Sequence, residues 1–379
     1  MRGGGSGFIP PPARIVELPM TPQPIRYDPS LETIEPDEGE TIENLRGSFR
    51  EILETTSADY GRAVRSVHAK GHGLVHGTLT IAGGLPPELA QGIFTSPGEH
   101  PVILRFSTAP GDILDDSVSS PRGLSIKVLG VEGERLEGSS GDTTQDFLMV
   151  NGPVFGARKS ADFAKNLKLL AKTTDRAEGA KKLLSAALRA VETGLETVGL
   201  ESSLVKQLGG APEVHPLGET YFTQTPYRYG DHVVKLSVAP VSPALVDVTG
   251  DIVDTSGRPD ALREEIGRRM VAKGGTWEVR VQLCTDPEAT PIEDPTVEWD
   301  EEASPFRTVA TITVDPQVSW TPGESDNAED RLAFSPWHGV QAHRPLGQIN
   351  RARKPMYDFS RDFRGDFNGC PVHEPTATA

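Results

Sequence analysis

Apolar and polar residues alternate with a period of two along several stretches of the chain, the signature of strands that bury one face. Val75, Gly77, Leu79 and Ile81 alternate with polar neighbours, as do Leu124, Ile126 and Val128, and again Val234, Leu236 and Val238. In WEVRVQLC, Trp277, Val279, Val281 and Leu283 face one way and Glu278, Arg280 and Gln282 the other. One dry and one wet face is the pattern of antiparallel sheet. Between these segments Leu184, Leu188, Val191, Leu195 and Val198 recur at spacings of three and four, which predicts a helical insertion over roughly 160–208. Strands on both sides of a helical insertion, without alternating strand–helix–strand units, predict an α+β fold built on an antiparallel β-barrel or a large antiparallel sheet.

Composition sharpens this picture at the N-terminus. Residues 1–45 carry a glycine-rich start, Pro10 to Pro12, Pro19, Pro22 and Pro24, then an acidic stretch, and are expected to form an extended or flexible arm. The length of 379 residues allows one large domain or two smaller ones. With 38 Lys+Arg against 54 Asp+Glu the net charge is −16, which disfavours a broad grip on nucleic acid or an anionic membrane. The chain lacks both a run of about 18 apolar residues and the apolar core of a secretory signal, so an unexported, cytoplasmic protein with no integral membrane segment is expected. Cys284 and Cys370 are too few for a disulfide framework or a four-cysteine zinc site.

Candidate chemistry lies in two places. His68, His72 and His76 are spaced by four, but Gly71 and Gly73 and the strand pattern that comes after them argue against a helix. In extended chain four residues span about 13 Å, too far for one metal ion. RSVHAKG, residues 65–71, places Arg65 and His68 on a turn or at the start of a strand. Near the other end, INRARKPMYDFSRDFR sets Arg353, Tyr357, Ser360 and Arg364 on one helical stripe, with Pro355 suited to the first turn. A guanidinium beside a phenol favours the phenolate, which can ligate ferric haem.

On these residues the chain resembles the catalase superfamily, haem enzymes with a tyrosinate axial ligand. The resemblance rests on RSVHAKG at 65–71, RFST at 105–108 with SPRGLSIKV at 120–128, NGPVF at 151–155 and RKPMYDFSRDFR at 353–364. Further blocks at 217–236, 291–299 and 334–351 are similar to the short, bacterial-type catalase-related haem peroxidases, so the resemblance spans about residues 55–369. It implies a catalase-like haem fold, with residues 46–379 as a single domain: an antiparallel β-barrel core, a helical insertion and a C-terminal helix carrying the haem ligand. The implied cofactor is haem b, its ferric iron held by Tyr357 with Arg353 as that residue's partner. Arg65, Arg105 and Arg364 match the propionate arginines. His68 and Asn151 match the distal pair, and Ser107 the serine that orients the histidine. Val67 matches the apolar residue beside the distal histidine, and Phe163 the phenylalanine that packs on the distal face of the haem.

The activity that the resemblance implies is that of a peroxide-metabolising oxidoreductase, a peroxidase with weak to moderate catalase activity. Its substrate is hydrogen peroxide or an organic hydroperoxide, and its reductant an organic donor or a second peroxide. Full-length catalases carry an acid just before the PRG triplet; here that position is Ser120, with Asp116 nearby, which argues against fast dismutation. A fatty-acid hydroperoxide isomerase or lyase, similar to the catalase-related allene oxide synthases, is the alternative. Those enzymes have threonine where this chain has Val67. A non-catalytic haem-binding protein is the third reading, and has no need of His68, Ser107 and Asn151 together. The threading arm and C-terminal domain of full-length catalases are expected to be absent, which leaves a homodimer as the expected assembly.

Overall fold

A computed structural model describes residues 23–171 and 212–376. The period-two segments form β1 (Gly71–Ile81), β2 (Gly98–Thr108), β3 (Arg122–Leu129), β4 (Thr144–Val150), β5 (Tyr221–Phe222), β6 (Tyr227–Tyr229), β7 (His232–Pro240), β8 (Gly275–Leu283) and β9 (Arg307–Val314). They hydrogen-bond in the order β5-β4-β3-β2-β1-β9-β8-β7-β6. A further pairing of Tyr221 with Val238 and of Phe222 with Ser237 joins β5 to β7 and closes an eight-stranded antiparallel barrel, with β6 attached to β7. Closure removes the open edges that a sheet of this size otherwise presents.

The residues whose alternation predicts the strands are the ones that fill the barrel. Val75, Leu79, Leu124, Ile126, Val128, Val234, Leu236, Val238, Trp277, Val279 and Val281 all join one buried cluster. At its centre Phe106 meets Tyr221 and Trp277, with both ring-centroid separations 6.2 Å. Side chains therefore fill the interior, as expected for a barrel of this width. Any site must be built at its rim.

The helices are α1 (Glu38–Tyr60), α2 (Ser160–Ala171), α3 (Pro243–Val246), α4 (Ala261–Lys273), α5 (Glu324–Arg331) and α6 (Gln348–Asn368). Leu45, Phe49 and Ile52 of α1 pack on Leu167 of α2 and on Ala352 and Met356 of α6, making a helical layer outside the barrel. The expected boundary at residue 45 falls inside α1, and Leu45 is fully buried. Two of the acidic residues that suggest a linker have a partner: Arg351 of α6 donates to Glu38 Oε1 (2.8 Å) and Glu32 Oε2 (2.9 Å), and also to Glu293 Oε1 (3.0 Å) far along the chain. Of the predicted insertion, α2 is seen, while Leu184, Leu188, Val191, Leu195 and Val198 lie outside the described residues.

Pro355 departs from expectation. It sits inside α6, which begins at Gln348 instead of at the proline. An interior proline costs a helix about 3 kcal/mol. The preceding turns form anyway because carboxylates satisfy their free N–H groups: Gln348 N donates to Glu293 Oε2 (2.7 Å) and Gly347 N to Glu32 Oε2 (3.0 Å). Beyond α6 the chain returns to the barrel, where Glu374 Oε2 accepts from Lys127 Nζ (2.5 Å) and Thr144 Oγ1 (2.8 Å). Burial pulls the neighbouring His338 imidazole down, but its hydrogen bonds with Asp146 and Glu374 outweigh burial and raise it to about 9.

Candidate active site

His68 lies on the turn between α1 and β1 with φ 54°. Among the described residues it shares left-handed backbone with one other non-glycine, Gln224 (φ 61°), and such conformations persist where the surroundings over-determine them. His68 N donates to Ala109 O (2.9 Å), and its Nδ1 shares a hydrogen bond with Ser107 Oγ on β2 (3.1 Å). Gly123 of β3 lies directly against the ring: a Cβ there would stand 2.5 Å from His68 Nδ1 and 2.9 Å from Ser107 Oγ. The glycine of the PRG triplet therefore makes the space in which the imidazole is held. Burial, then the charges of Arg105, Arg353 and Arg65, push this imidazole down to about 3. It is neutral at physiological pH.

Asn151 comes directly after β4, and its amide is oriented at both ends. Oδ1 accepts from Arg122 N (2.7 Å), so Nδ2 is the end that donates to Glu219 Oε1 (2.6 Å). Burial raises the Glu219 carboxyl above its ordinary value, opposed by Arg122 and Asn151. Gln224 secures the rest of NGPVF by donating to Gly152 O (3.1 Å) and Val154 O (2.6 Å). Phe155 of this loop meets Phe163 of α2 at 5.3 Å between centroids and lies 5.4 Å beneath the Arg353 guanidinium. Phe163 and Val67 also pack on the α1–α2–α6 cluster that includes Met356, so the plain packing role and a place beside the site coexist.

On α6 the predicted stripe spreads over several partners. Arg353 Nη1 donates to Thr225 Oγ1 (3.3 Å) and Asn350 Oδ1 (3.2 Å). Ser66 N donates to Ser360 Oγ (3.3 Å), joining α6 to the turn that carries His68. Burial pushes the Tyr357 phenol above its ordinary value; Arg353 opposes this, as expected, without cancelling it. The Arg353 charge lowers both the His68 imidazole and the Tyr357 phenol.

Arg65, Arg105 and Arg364 converge, and they converge on a residue that sequence reasoning passes over. Glu329 of α5 accepts from Arg105 Nε (2.5 Å) and Nη2 (3.0 Å) and from Arg65 Nη1 (3.0 Å). Its backbone carbonyl accepts from Arg65 Nη2 (3.0 Å) and Arg364 Nη1 (3.4 Å). Arg364 Nε is buried with no partner among the described residues. Glu219, Gln224, Thr225 and Glu329 carry no local sequence signal, since each acts on a partner distant in the chain.

The remaining histidines do not join the site. His72 is buried against Thr108 Oγ1 (3.2 Å) and His76 is exposed on β1. Among the described residues no group of three or more His, Cys, Asp or Glu side chains is placed to hold a metal ion. Asp116, the acid near Ser120, is committed elsewhere: it pairs with Lys70 Nζ (2.7 Å) and accepts from Leu262 N (2.8 Å).

No protein-family model matches the chain, and no curated protein matches it. Solved structures do. Catalase A from Saccharomyces cerevisiae is similar with a TM-score of 0.58 at 18% identity, the match covering 84% of this chain and 66% of that one. A fungal catalase is similar with a TM-score of 0.59 at 20% identity, over 84% and 64% of the respective chains. The fold is catalase-like. This chain spans just under two thirds of the length of either catalase. Within the catalase-like architecture the barrel rim carries His68, Ser107 and Asn151, while α6 brings Arg353, Tyr357 and Arg364 across from the helical layer.

Proposed function

We propose that this protein is a haem-dependent, peroxide-metabolising oxidoreductase: a peroxidase with weak to moderate catalase activity. The observation that carries the reading is that the turn bearing His68 is bonded to the helix bearing Tyr357, with Ser66 N donating to Ser360 Oγ (3.3 Å), while Arg65 and Arg364 from the same two segments converge on Glu329 O. The arginine clamp beside them suits haem b. Three guanidinium groups face one carboxylate, and a buried Arg364 donor is left over, so the clamp is short of anions in the way a ligand with two propionates makes good.

In this reading Arg65, Arg105 and Arg364 would hold the propionates, Tyr357 would supply an oxygen ligand to the iron, and Val67 and Phe163 would be apolar walls. Haem, when bound, supplies the redox chemistry of O–O cleavage. The chain manages the protons. With His68 Nδ1 donating to Ser107, Nε2 is bare; it takes a proton from one peroxide oxygen and returns it to the departing one. The Asn151 amide, its orientation fixed by Arg122 N, donates to the peroxide as charge shifts between the oxygens. An organic donor as reductant, a homodimer and a cytoplasmic location complete the proposal; no described helix is long and apolar enough to cross a membrane.

Haem supplementation of the purified protein is expected to give a Soret band, and Tyr357→Phe to change that spectrum. Three assays then run side by side: oxygen evolution from hydrogen peroxide, oxidation of a phenolic donor, and consumption of a fatty-acid hydroperoxide. Donor oxidation is expected to dominate. Rearranged products from the hydroperoxide without any donor would overturn the peroxidase reading in favour of an isomerase.

A further inference from the structure

The clamp of Arg65, Arg105 and Arg364 contains its own carboxylate. Glu329 is 5% exposed and Arg105 1%, so the interaction is shielded from solvent. Glu329 spans two arginines with its side chain and meets the third through its backbone carbonyl. Leu332 O takes the outer nitrogens of Arg65 (2.9 Å) and Arg364 (3.2 Å), but a carbonyl carries no charge. The next acid, Asp330, pairs with Arg62 at 3.6 Å and not with the three, although its charge also acts on Arg364 and Arg65; Arg361 pairs with Asp358 at 3.3 Å. Gly71 of β1 makes room for the carboxylate, since a Cβ there would collide with Glu329 Oε1. The three cations and the one carboxylate bonded among them leave an excess of two positive charges within the clamp itself.

We propose that Glu329 is a specificity-determining positioning residue: it neutralises one of the three guanidinium charges, holds Arg65 and Arg105 in register, and so tunes the clamp to a ligand bearing two carboxylates. The inference rests on the haem reading above and adds to it the residue that sets the charge of the ligand the site accepts. Buried like charges repel strongly where water does not screen them. Removing the Glu329 charge raises the excess from two to three. The ligand-free protein then loses stability, and the advantage of a dicarboxylate over its uncharged ester grows. A residue that only packed would affect both ligands alike.

The test titrates purified full-length protein with haem and with haem dimethyl ester, in which both carboxylates are methylated, by Soret absorbance and tryptophan quenching. Wild type is expected to bind haem on the order of 100-fold more tightly than the ester, from charge-assisted bonds to two carboxylates. Glu329→Gln is expected to widen that ratio about tenfold and to lower the Tm of the haem-free protein. The double variant Glu329→Gln with Arg65→Gln returns the excess to two, and is expected to bring the ratio to within about threefold of wild type and to recover the Tm. An unchanged ratio in Glu329→Gln overturns the proposal, as does failure of the double variant to restore it. If Glu329→Gln does not fold, the double variant decides alone, and its failure to fold also overturns the charge argument. Wild type binding both porphyrins equally defeats this inference and leaves the haem reading standing; wild type binding neither defeats both.

Discussion

At the barrel rim His68 is held by neutral means: a hydroxyl at 3.1 Å, a backbone bond to Ala109, and the missing side chain of Gly123. The Arg65–Arg105–Arg364 clamp is held by charge, with one carboxylate shared by Arg65 and Arg105 and its residue's backbone carbonyl meeting Arg364. The two regions are linked. Burial first, and then the charges of Arg105, Arg353 and Arg65, keep the rim imidazole unprotonated. Positive charge at the clamp therefore also lowers the imidazole at the rim. Geometry at the rim and electrostatics at the clamp are separable in principle, and substitutions can show how far they are separable in fact.

The sharpest break in this comparison is His68→Ala. It removes the proton acceptor without touching the clamp, so haem content measured by Soret absorbance is expected to persist. Peroxide consumption is expected to fall by about 10²–10⁴-fold, the usual contribution of a positioned acid–base group. Unchanged turnover would show that the neutral imidazole has no part in the chemistry.

Gly123→Ala attacks the same imidazole through the space it occupies. The new Cβ would stand 2.5 Å from Nδ1, so the ring must leave its bond to Ser107. Overpacking of this kind costs about 1–3 kcal/mol, and a displaced base loses about 10²-fold in rate. A variant that kept both Tm and turnover would mean that the rim is softer than its contacts indicate.

Acid sharpens the comparison differently, through the imidazole held at the rim. His68 and His343 are held down to about 3 and His215 to about 4, in each case chiefly by burial. The unfolded chain takes up protons on these imidazoles near pH 6.5, while the folded protein does not. Stability therefore rises with pH between about 4 and 6.5 and is lost as the pH falls through that window. Denaturant unfolding at pH 7 and pH 5 is expected to show the loss, and His68→Asn to make it smaller. Peroxide turnover, to the extent that His68 governs it, stays flat from pH 5 to 8.

The two regions were also unequally readable in the sequence. The barrel strands show as alternation, because each has one face in the core; Trp277, Val279 and Val281 leave no other arrangement open. His68, Ser107, Asn151 and Tyr357 stand in compact sequence blocks, although the partners that orient His68 and Asn151 lie elsewhere in the chain. Glu329 stands in ESDNAEDR, an acidic run that reads as solvated surface, and its partners Arg105 and Arg65 are 224 and 264 positions away. Glu38 is hidden for the same reason: its meaning lies in Arg351, far along the chain. Pro355 misleads in the opposite sense, because a local rule for helix starts is overruled by two distant carboxylates. Patterns of burial are local and repeat, whereas charge compensation between distant segments leaves no periodic trace.

Ser107→Ala gives the smallest expected effect and the finest division between rim and clamp. It deletes the hydroxyl that meets His68 Nδ1 but keeps Gly123, the Ala109 backbone bond and the field of the three arginines. A single hydrogen bond of this kind is worth about 0.5–1.5 kcal/mol, so peroxide turnover is expected to drop about two- to tenfold, with haem affinity unaltered. If the loss approaches that of His68→Ala, the hydroxyl fixes the tautomer that leaves Nε2 bare, and hydrogen bonding governs the rim. If turnover does not change, the pocket over Gly123 positions the ring alone, and the arginine field is enough to keep it neutral.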